Sequence, residues 1–469
     1  MLFRKTTHYD YDLIVIGSGS GGSVSAHYAA SRGKKVAIFE KDAVGGECPN
    51  YACVPTKALL HSAMTYEHAL HAKDYGITVE KPVVHYPNVK RWKELVVSRT
   101  GASHGDASFS KSGIDLIREE ARFVDSHTVE AGGTLYTAHK VLLATGSTTF
   151  IPEVTGLKET GFMTYQDAVN LSTLPKSLLI FGGGAIGCEF AQIFATLGTQ
   201  VTLVNRSDRL LKKEDQEVGD LVQALFESGG VTVLTGTSLV KVEKLEKTTS
   251  DGKKQMKKIV HMQKGEHHSE FFEEVDEILI ATGKVPSLDF LPEKAGLTVK
   301  HHRLVVNKQL QTNVAHIYAA GDLVGPYLFT HSAEYQSYLA AQNMFSRKKQ
   351  AVDYSVVPRC VFITPEVASV GLSEEEARAR DIRIKKGITP IASLGRANTS
   401  NHFDGFVKVI TNEKGVLIGA SIVAPRAGEM IHELALAIRL RVKASVIANM
   451  IHAYPTYSEA VKIACDLLE

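Results

Sequence analysis

Two cysteines, Cys48 and Cys53, lie five positions apart in a segment suited to thiol redox chemistry. Gly45 and Gly46 precede them, and Lys57 and an apolar run follow. If a helix begins near Cys48, both sulfur atoms can lie on one face, which suits a disulfide with a Cα–Cα distance of roughly 4.4–6.8 Å. The helix start and Lys57 would also stabilise a thiolate after reduction. The segment therefore predicts a redox-active disulfide. The alternative, a structural bridge, is rare in reducing compartments.

A strand–turn–helix–strand unit precedes the cysteines and would position them. The apolar run at 12–16 predicts a buried parallel strand, a glycine-rich turn follows, and a second strand ends at Glu40. Gly17 permits the tight turn, Gly19 lets the backbone approach a pyrophosphate, and Gly22 lets the helix pack closely on the strand. Glu40 would accept hydrogen bonds from a ribose. The pattern predicts a dinucleotide site, and the alternative is an ordinary glycine turn.

A second unit of the same kind begins near residue 178. Gly182, Gly184 and Gly187 repeat the glycine fingerprint, and this internal duplication implies that two nucleotides are bound. In the first unit an acid lies eighteen residues after the last glycine, whereas the residue eighteen after Gly187 is Asn205.

The residues that follow the second strand of this unit, at 201–204, bear on the choice of coenzyme. Asn205 would not repel a 2′-phosphate, and Arg206, Ser207 and Arg209 could donate hydrogen bonds to one. We therefore predict NADPH in preference to NADH. The alternative is that the arginines form a solvated surface and that NADH is also accepted.

Residues 45–57 resemble the redox motif of the flavoprotein disulfide reductases, which include dihydrolipoamide dehydrogenase, glutathione reductase and mercuric reductase. Their pattern is close to Gly-Gly-Thr-Cys-Leu-Asn-Val-Gly-Cys-Val-Pro-Ser-Lys. Here Glu47 replaces the usual threonine and Ala52 the usual glycine, and the cysteine spacing is unchanged. The strand that ends in Gly321 and Asp322 resembles the second FAD motif of this family.

The resemblance covers essentially the whole chain and implies an α/β fold. Two Rossmann-like nucleotide-binding domains, one for FAD and one for NAD(P), would be joined to an α+β dimerisation domain. The FAD-binding domain would be discontinuous, with residues 1–151 and 284–350. Residues 152–283 would form the NAD(P)-binding domain and residues 351–469 the dimer-interface domain.

The resemblance also implies site residues and an electron path. Thr145, Gly146 and Asp322 would join the FAD site, and Gly283 the NADPH site. NADPH would give a hydride to the flavin, which would pass two electrons to the disulfide, with Cys53 against the flavin and Cys48 towards substrate. Lys57 would lie near the flavin and pair with Glu189, because a buried lysine needs a partner to stay charged.

The C-terminal segment departs from the family pattern, His-Ala-His-Pro-Thr-x-Ser-Glu. In the family, the histidine before the proline comes from the partner subunit, is oriented by the glutamate, and exchanges a proton with the substrate thiol. This chain has His452, Tyr454 and Glu459 at the corresponding places, with the tyrosine before Pro455. A tyrosine with a pKa near 10 exchanges protons far less readily at neutral pH than a histidine near 6.5. Because loss of a general acid–base typically costs about 10²–10⁴ in rate, efficient lipoamide or glutathione turnover is not expected, unless His452 substitutes.

Mercuric reductase resembles this chain in having a tyrosine at that position. It also has a vicinal cysteine pair at its C-terminus, whereas this chain has only Cys465 there. Cys465 would either hand a metal ion to the disulfide or pack inside a helix.

Three functions follow from these motifs. The first is an NADPH-dependent FAD oxidoreductase whose acceptor is a metal ion, a quinone or a similar small oxidant. The second is a dihydrolipoamide dehydrogenase or small-disulfide reductase with unusual proton delivery. The third is a flavin-binding redox sensor or partner-binding protein with slow turnover.

Length and composition limit the number of domains and the kinds of partner that we expect. A chain of 469 residues suggests about three domains, and a net charge of +2 gives no reason to expect nucleic acid or an anionic membrane surface. No apolar run approaches the ~20 residues needed to span a bilayer, so we expect a cytoplasmic protein. The family resemblance implies a homodimer whose active site is shared between the subunits. His261, His267 and His268 fall in a polar hairpin whose spacing fits no metal site, and no resident metal is predicted.

Overall fold

The structure of the protein, a computed structural model, describes residues 8–248, 254–265 and 269–468. His267 and His268 therefore lie outside the described residues. The chain divides into two compact units. The first comprises Met1–Ala58, Arg91–Phe150 and Lys284–Asp353, and the second comprises Leu59–Lys90, Ile151–Gly283 and Tyr354–Glu469. The three-domain boundaries drawn from the sequence stay a prediction.

The first unit is built on a mixed sheet. Its strand order is Asp115–Ile117, Val36–Phe39, Tyr11–Ile16, Thr134–Leu143, Thr128–Ala131 and Arg122–Phe123, and Ile317–Ala319 also pairs with Thr134–Leu143. Tyr11–Ile16 is parallel to both of its neighbours, with Val15 opposite Ile38 and Leu142. All three of these side chains are fully buried, as expected for a parallel sheet that is covered on both faces.

Helices and short strand pairs complete the first unit. The strand pairs are Ser147–Thr149 with Lys284–Pro286 and Val299–Lys300 with Arg303–Leu304. The helices are Ser20–Ala30, Glu47–Asn50, Ala102–Lys111 and Thr330–Phe345, with 3-10 turns at Pro292–Ala295 and Gly321–Leu323. Two further helices, Cys53–Leu70 and Tyr86–Thr100, cross a boundary between the units.

Three sheets form the second unit. A parallel sheet has the order Thr232–Leu234, Gln200–Val204, Ser177–Phe181 and Glu277–Ile280. An antiparallel sheet contains Thr237–Thr248, Lys254–Lys264 and Ser269–Val275. A larger antiparallel sheet has the order Arg359–Val361, Glu366–Gly371, Leu417–Ala424, Phe406–Asn412 and Ile384–Pro390.

The helices of the second unit connect these sheets. Those before residue 284 are Leu157–Thr160, Tyr165–Ala168, Ala185–Thr196 and Gln216–Ser228, with a 3-10 turn at Ala72–Tyr75. Those after residue 353 are Glu374–Arg378, Gly395–Ser400, Ala427–Arg439, Ala444–Ala448 and Glu459–Asp466, with a 3-10 turn at Ile391–Ser393.

One expectation from the sequence pattern is wrong. From the sequence, residues 108–121 are expected to form a helix that precedes a small β meander, but the helix Ala102–Lys111 ends early and the strand Asp115–Ile117 follows. Gly113 has a φ of +67°, a left-handed conformation that glycine adopts without strain and that suits a helix end. The strand then adds to the edge of the parallel sheet, with Leu116 opposite Ile38. Long-range pairing therefore overrides the local pattern.

A buried lysine in the second unit has three acidic partners. Lys408 is fully buried in the strand Phe406–Asn412. Its Nζ lies 3.2 Å from Asp215 and 3.1 Å from Glu217, and it also pairs with Glu374. Burial raises the pKa of Glu374, but hydrogen bonds from Lys386 and Lys408 outweigh this effect and hold it below its ordinary value. The cluster joins the start of the helix Gln216–Ser228 to the large antiparallel sheet.

We predict that Lys408→Met lowers the free energy of unfolding by about 3–5 kcal/mol, because it removes the counter-charge of the buried Asp215 and the buried partner of Glu374. Denaturant unfolding at fixed protein concentration measures the change. The pKa of Glu374 is depressed in the folded state, so its contribution is present at neutral pH and is lost as the pH falls through the folded pKa. The difference in the free energy of unfolding between Lys408→Met and wild type should therefore become smaller below about pH 4.

Lys386→Met is the matched control. Lys386 also contacts Glu374, at 2.8 Å, but 43% of its side chain is exposed. Its loss should cost less than about 1 kcal/mol. Equal losses from the two substitutions would contradict the assignment of the stability to the buried charge.

Candidate active site

The first glycine turn is closed by backbone contacts that leave no room for side chains. Gly17 has a φ of +99°, and a Cβ atom on it would lie 2.3 Å from the carbonyl oxygen of Ala144. A Cβ atom on Gly22 would lie 1.9 Å from the carbonyl oxygen of Gly17. At Gly19 a Cβ atom would lie 3.7 Å from the Cα atom of Gly46, an ordinary van der Waals contact with the cysteine segment. Gly17 and Gly22 thus have the turn and packing geometry that the glycine pattern requires, and the pyrophosphate contact at Gly19 stays a prediction.

The second glycine turn repeats this geometry. Gly182 has a φ of +123° and would place a Cβ atom 2.3 Å from the carbonyl oxygen of Ala281. A Cβ atom on Gly187 would lie 1.8 Å from the carbonyl oxygen of Gly182, whereas one on Gly184 would meet nothing within 4 Å. Both turns therefore combine a tight first glycine with close helix packing at the third, and the backbone at Gly184 is open. This geometry fits a dinucleotide at each turn.

The repeated Ala-Thr-Gly strand ends lie against these turns. After Ala144, Thr145 donates a hydrogen bond to the carbonyl oxygen of Ser287 at 2.8 Å, and Gly146 has a φ of +70°. In the second unit Gly283 occupies the same place, with a φ of +120°.

A carboxylate ties the first glycine turn to the cysteine segment. Glu40 accepts hydrogen bonds from the backbone N–H of Ser18 at 3.0 Å and from its hydroxyl at 2.6 Å. The same hydroxyl oxygen accepts a hydrogen bond from the N–H of Gly45 at 3.0 Å. Glu40 thus stands at the strand end where the sequence predicts a ribose contact, and Ser18 is a site residue that sequence reasoning missed.

Two helices carry the cysteines. Cys48 lies in the short helix Glu47–Asn50, and Cys53 is the first residue of the long helix Cys53–Leu70. The long helix therefore begins at the second cysteine and not near the first. The side-chain amide of Asn50 holds the segment by donating to the carbonyl oxygens of Val44 at 3.0 Å and Gly46 at 2.8 Å.

The two thiols interact directly. A hydrogen bond with Cys53 and burial raise the pKa of the Cys48 thiol, whereas Thr330 and the charge of Lys57 act in the opposite direction. The sulfur of Cys53 also lies 3.6 Å from the hydroxyl oxygen of Thr330, at the start of the helix Thr330–Phe345. Sequence reasoning missed Thr330, since a single threonine at the start of a helix gives no motif. The two thiols are hydrogen-bonded neighbours, as a redox-active pair requires.

A lysine–carboxylate cluster adjoins the cysteine segment. Lys284 pairs with Glu47 and lies 3.9 Å from Asp322. Asp322 also accepts a hydrogen bond from the hydroxyl of Ser147 at 2.5 Å. The structure thus places Asp322, a predicted FAD residue, beside two residues that the sequence pattern did not single out.

The predicted pairing of Lys57 with Glu189 stays a prediction. Lys57 lies one turn into the helix Cys53–Leu70 and is half-buried. Glu189 is buried in the helix Ala185–Thr196, where its carboxylate accepts a hydrogen bond from the N–H of Phe362 at 3.0 Å.

The loop after the second nucleotide strand is held by Asn205. Its side chain accepts a hydrogen bond from the N–H of Gly183 at 3.0 Å and donates one to the carbonyl oxygen of Arg209 at 2.8 Å. The guanidinium of Arg209 donates to Glu375 at 3.2 Å, and Arg206 is exposed. Asn205 therefore shapes the loop, and Arg206 is the arginine most open to a ligand.

The C-terminal segment exposes its tyrosine and buries its histidine. Tyr454 is 77% exposed, whereas the side chain of His452 is only 7% exposed and its Nε2 lies 3.0 Å from the carboxylate of Glu433. Glu459 accepts a hydrogen bond from the N–H of Thr456 at 3.3 Å. His452 is therefore directed into its own subunit, which argues against its acting as the substitute base.

Cys465 is fully buried in the helix Glu459–Asp466. Burial, together with the charge of Glu433, raises the pKa of its thiol to about 12. Throughout the described part of the chain, no three histidine, cysteine or acidic side chains are grouped so that they could hold a metal ion. The helices described there are also all too short or too polar to cross a membrane.

The fold and site agree with the sequence families that the chain matches. Residues 11–344 match the pyridine nucleotide-disulphide oxidoreductase family, and residues 357–465 match the dimerisation domain of that family. The chain therefore belongs to the pyridine nucleotide-disulphide oxidoreductases, whose cofactors are FAD and NAD(P)H. The predicted fold class and enzyme class are confirmed, and the dimerisation domain supports formation of a homodimer.

Characterised relatives fall into more than one functional group. The chain is 36% identical to dihydrolipoyl dehydrogenase of Thermus scotoductus, covering 98% of this chain and 97% of the relative. It is 32% identical to mercuric reductase of Staphylococcus aureus, and the match covers 97% of this chain and 82% of that relative. Among solved structures, the Cu(II) complex of the HOCl-induced flavoprotein disulfide reductase RclA from Escherichia coli is 28% identical, with a TM-score of 0.86 and coverage of 97% and 100%.

We predict that Cys465 is protected from alkylation in the native, reduced protein while Cys48 is modified. Cys465 is fully buried, so the reagent cannot reach its sulfur atom, whereas Cys48 is partly exposed. Peptide mass spectrometry after maleimide labelling measures each site, with the fully buried Cys188 as the control and guanidinium-unfolded protein as the reference for complete labelling. Labelling of native Cys465 as fast as Cys48 would instead favour a role in metal transfer.

Proposed function

We propose that the protein transfers electrons from NADPH, through FAD and the Cys48–Cys53 pair, to a small acceptor such as a metal ion or a quinone. The observation that carries this proposal is the combination of two interacting thiols with an exposed Tyr454, which the motif resemblance aligns with the family's catalytic histidine. Bound FAD would accept the hydride and supply two electrons to the disulfide. The other steps of electron transfer would depend on side chains of this protein.

The thiols would serve as the last electron carrier before the acceptor. A disulfide that takes up two electrons and two protons becomes the dithiol. Transfer of both electrons to an acceptor, with release of the two protons, restores the disulfide. The hydrogen bond to Cys53 and the hydroxyl of Thr330 would hold the pair in place during this cycle. Lys57 and Glu189 would provide charge at the flavin side, as the sequence motif predicts.

An acceptor without a thiol leaving group suits the tyrosine. Reduction of a disulfide substrate requires a proton for each departing thiolate, which an ordinary tyrosine supplies poorly at neutral pH. Reduction of a metal ion bound by thiolates has no such requirement. Two relatives support this choice, since one is a mercuric reductase and another was solved as a Cu(II) complex.

The active site would be shared between two subunits. Tyr454 and Glu459 belong to the dimerisation domain, and Ile451 beside them is 99% exposed in the single chain. Leu436 and Leu440 on the same domain are 61% and 65% exposed. Such an apolar surface is consistent with a partner subunit that brings Tyr454 to the other chain's cysteines.

Dihydrolipoamide dehydrogenase is the second candidate, because relatives with that activity reach 36% identity over nearly the whole chain. It requires fast lipoamide turnover without a histidine at position 454. A redox sensor with slow turnover is the third candidate and predicts little reduction of any acceptor.

The decisive measurement is NADPH oxidation with lipoamide, Hg(II), Cu(II) and a quinone, for wild type and Tyr454→His. We expect a metal ion or the quinone to be reduced faster than lipoamide by wild type. Tyr454→His should raise lipoamide turnover about tenfold or more, because it restores a group that titrates near neutral pH. Rapid lipoamide reduction by wild type would overturn the proposal in favour of the second candidate.

Two variants serve as controls in the same assay. Cys48→Ser should abolish reduction of the metal ion or quinone, and unchanged turnover would show that electrons bypass the thiols. Tyr454→Phe keeps the ring and removes the hydroxyl, so it separates the chemistry of the phenol from its packing.

We further predict that Arg206→Glu raises the KM for NADPH about tenfold and leaves the KM for NADH nearly unchanged, because a carboxylate would repel the 2′-phosphate. Steady-state kinetics with both coenzymes measure the ratio of the KM for NADPH to the KM for NADH. Lys213→Glu is the matched control, since it makes the same charge change at another exposed residue of the same loop. An equal effect of both variants would indicate general electrostatics and not a 2′-phosphate contact.

A further inference from the structure

Lys284 lies between two carboxylates at the edge of the cysteine segment. Its Nζ pairs with Glu47, the residue directly before Cys48, and lies 3.9 Å from Oδ2 of Asp322. The side chain of Lys284 is 14% exposed, compared with 31% for Glu47 and 20% for Asp322. The ammonium group is therefore largely removed from water, and these carboxylates stabilise its charge.

The two carboxylates compete for one ammonium group. In the structure Glu47 forms the close contact, and Asp322 is left at a longer distance with a hydrogen bond from Ser147. If Glu47 were neutral, a mostly buried Lys284 would retain Asp322 as its neighbouring counter-charge and would move towards it. A direct ion pair would occupy the carboxylate that is predicted to accept hydrogen bonds from the ribityl chain of FAD.

We propose that Glu47 holds Lys284 away from Asp322 and thereby keeps Asp322 able to bind FAD. Glu47 is then a positioning residue, which acts on the flavin site through the lysine. The inference rests on the proposed FAD role of Asp322. It assigns a role to the position at which this chain has glutamate where the motif it resembles has threonine.

The proposal predicts how substitutions combine. Glu47→Gln should weaken FAD binding about tenfold, because Lys284 then pairs with Asp322, and Glu47→Thr should do the same despite restoring the residue of the motif. Lys284→Met should retain FAD to within about threefold, since the competing charge is gone. The double variant Glu47→Gln with Lys284→Met should also retain FAD, so the second substitution rescues the first.

FAD release from the purified holoenzyme is the measurement. Each variant is diluted, and the fluorescence of dissociated FAD is followed without substrate, so the result does not depend on turnover or on the acceptor. Glu277→Gln is the matched control: Glu277 pairs with Lys258 at 2.5 Å, with side-chain exposures of 35% and 13% that resemble those of Glu47 and Lys284. This control should release FAD as wild type does.

Rescue by the double variant supports the proposal, because a purely structural pair would lose FAD in every variant. Loss of FAD from Lys284→Met alone would overturn it and would indicate that Lys284 itself binds the cofactor. Unchanged FAD release from Glu47→Gln would overturn this inference and leave the proposed electron path intact. A wild-type protein that retains no FAD would overturn both.

Discussion

The contact between two glycine backbones places the redox segment against the first nucleotide turn. A Cβ atom on Gly46 would lie 2.8 Å from the Cα atom of Gly19, and Gly46 also has a φ of +71°. A side chain at this point would push apart the dinucleotide turn and the helix that carries Cys48. The hydrogen bonds from Ser18 to Glu40 and from Gly45 to Ser18 then fix the same arrangement. The position of the cysteine segment against the first nucleotide turn therefore depends on the absence of a side chain at Gly46.

Local sequence predicts the features that depend on short-range sterics. The two glycine fingerprints and the strand ends at Glu40 and Asp322 required no knowledge of the fold, because tight turns and close packing restrict the residue type at each position. The cluster of Glu47, Lys284 and Asp322 could not be predicted in this way. Glu47 lies 237 residues before Lys284 in the chain, and the pairing of Lys284–Pro286 with Ser147–Thr149 helps to place Lys284 beside Asp322.

The C-terminal segment shows a different limit of sequence reasoning. Spacing alone leaves His452 available as a base, since an extended segment can direct a side chain to either side. The structure directs it towards Glu433 and leaves Tyr454 exposed. The decisive partner is on the helix Ala427–Arg439, whose register against the terminal segment is set by packing of the second unit's core. The choice between two candidate bases was thus a question of tertiary packing.

The hydroxyl group of Tyr454 lies close to Gly395, which has no side chain. A Cβ atom on Gly395 would lie 2.7 Å from the hydroxyl oxygen of Tyr454, so a methyl group there would displace the phenol. Because the ring is largely exposed, it can give way without distorting the backbone. The size of residue 395 therefore determines where the hydroxyl oxygen of Tyr454 lies, while the tyrosine side chain itself is unchanged. A protein engineer can separate the location of this hydroxyl from its chemistry by changing a residue other than the tyrosine.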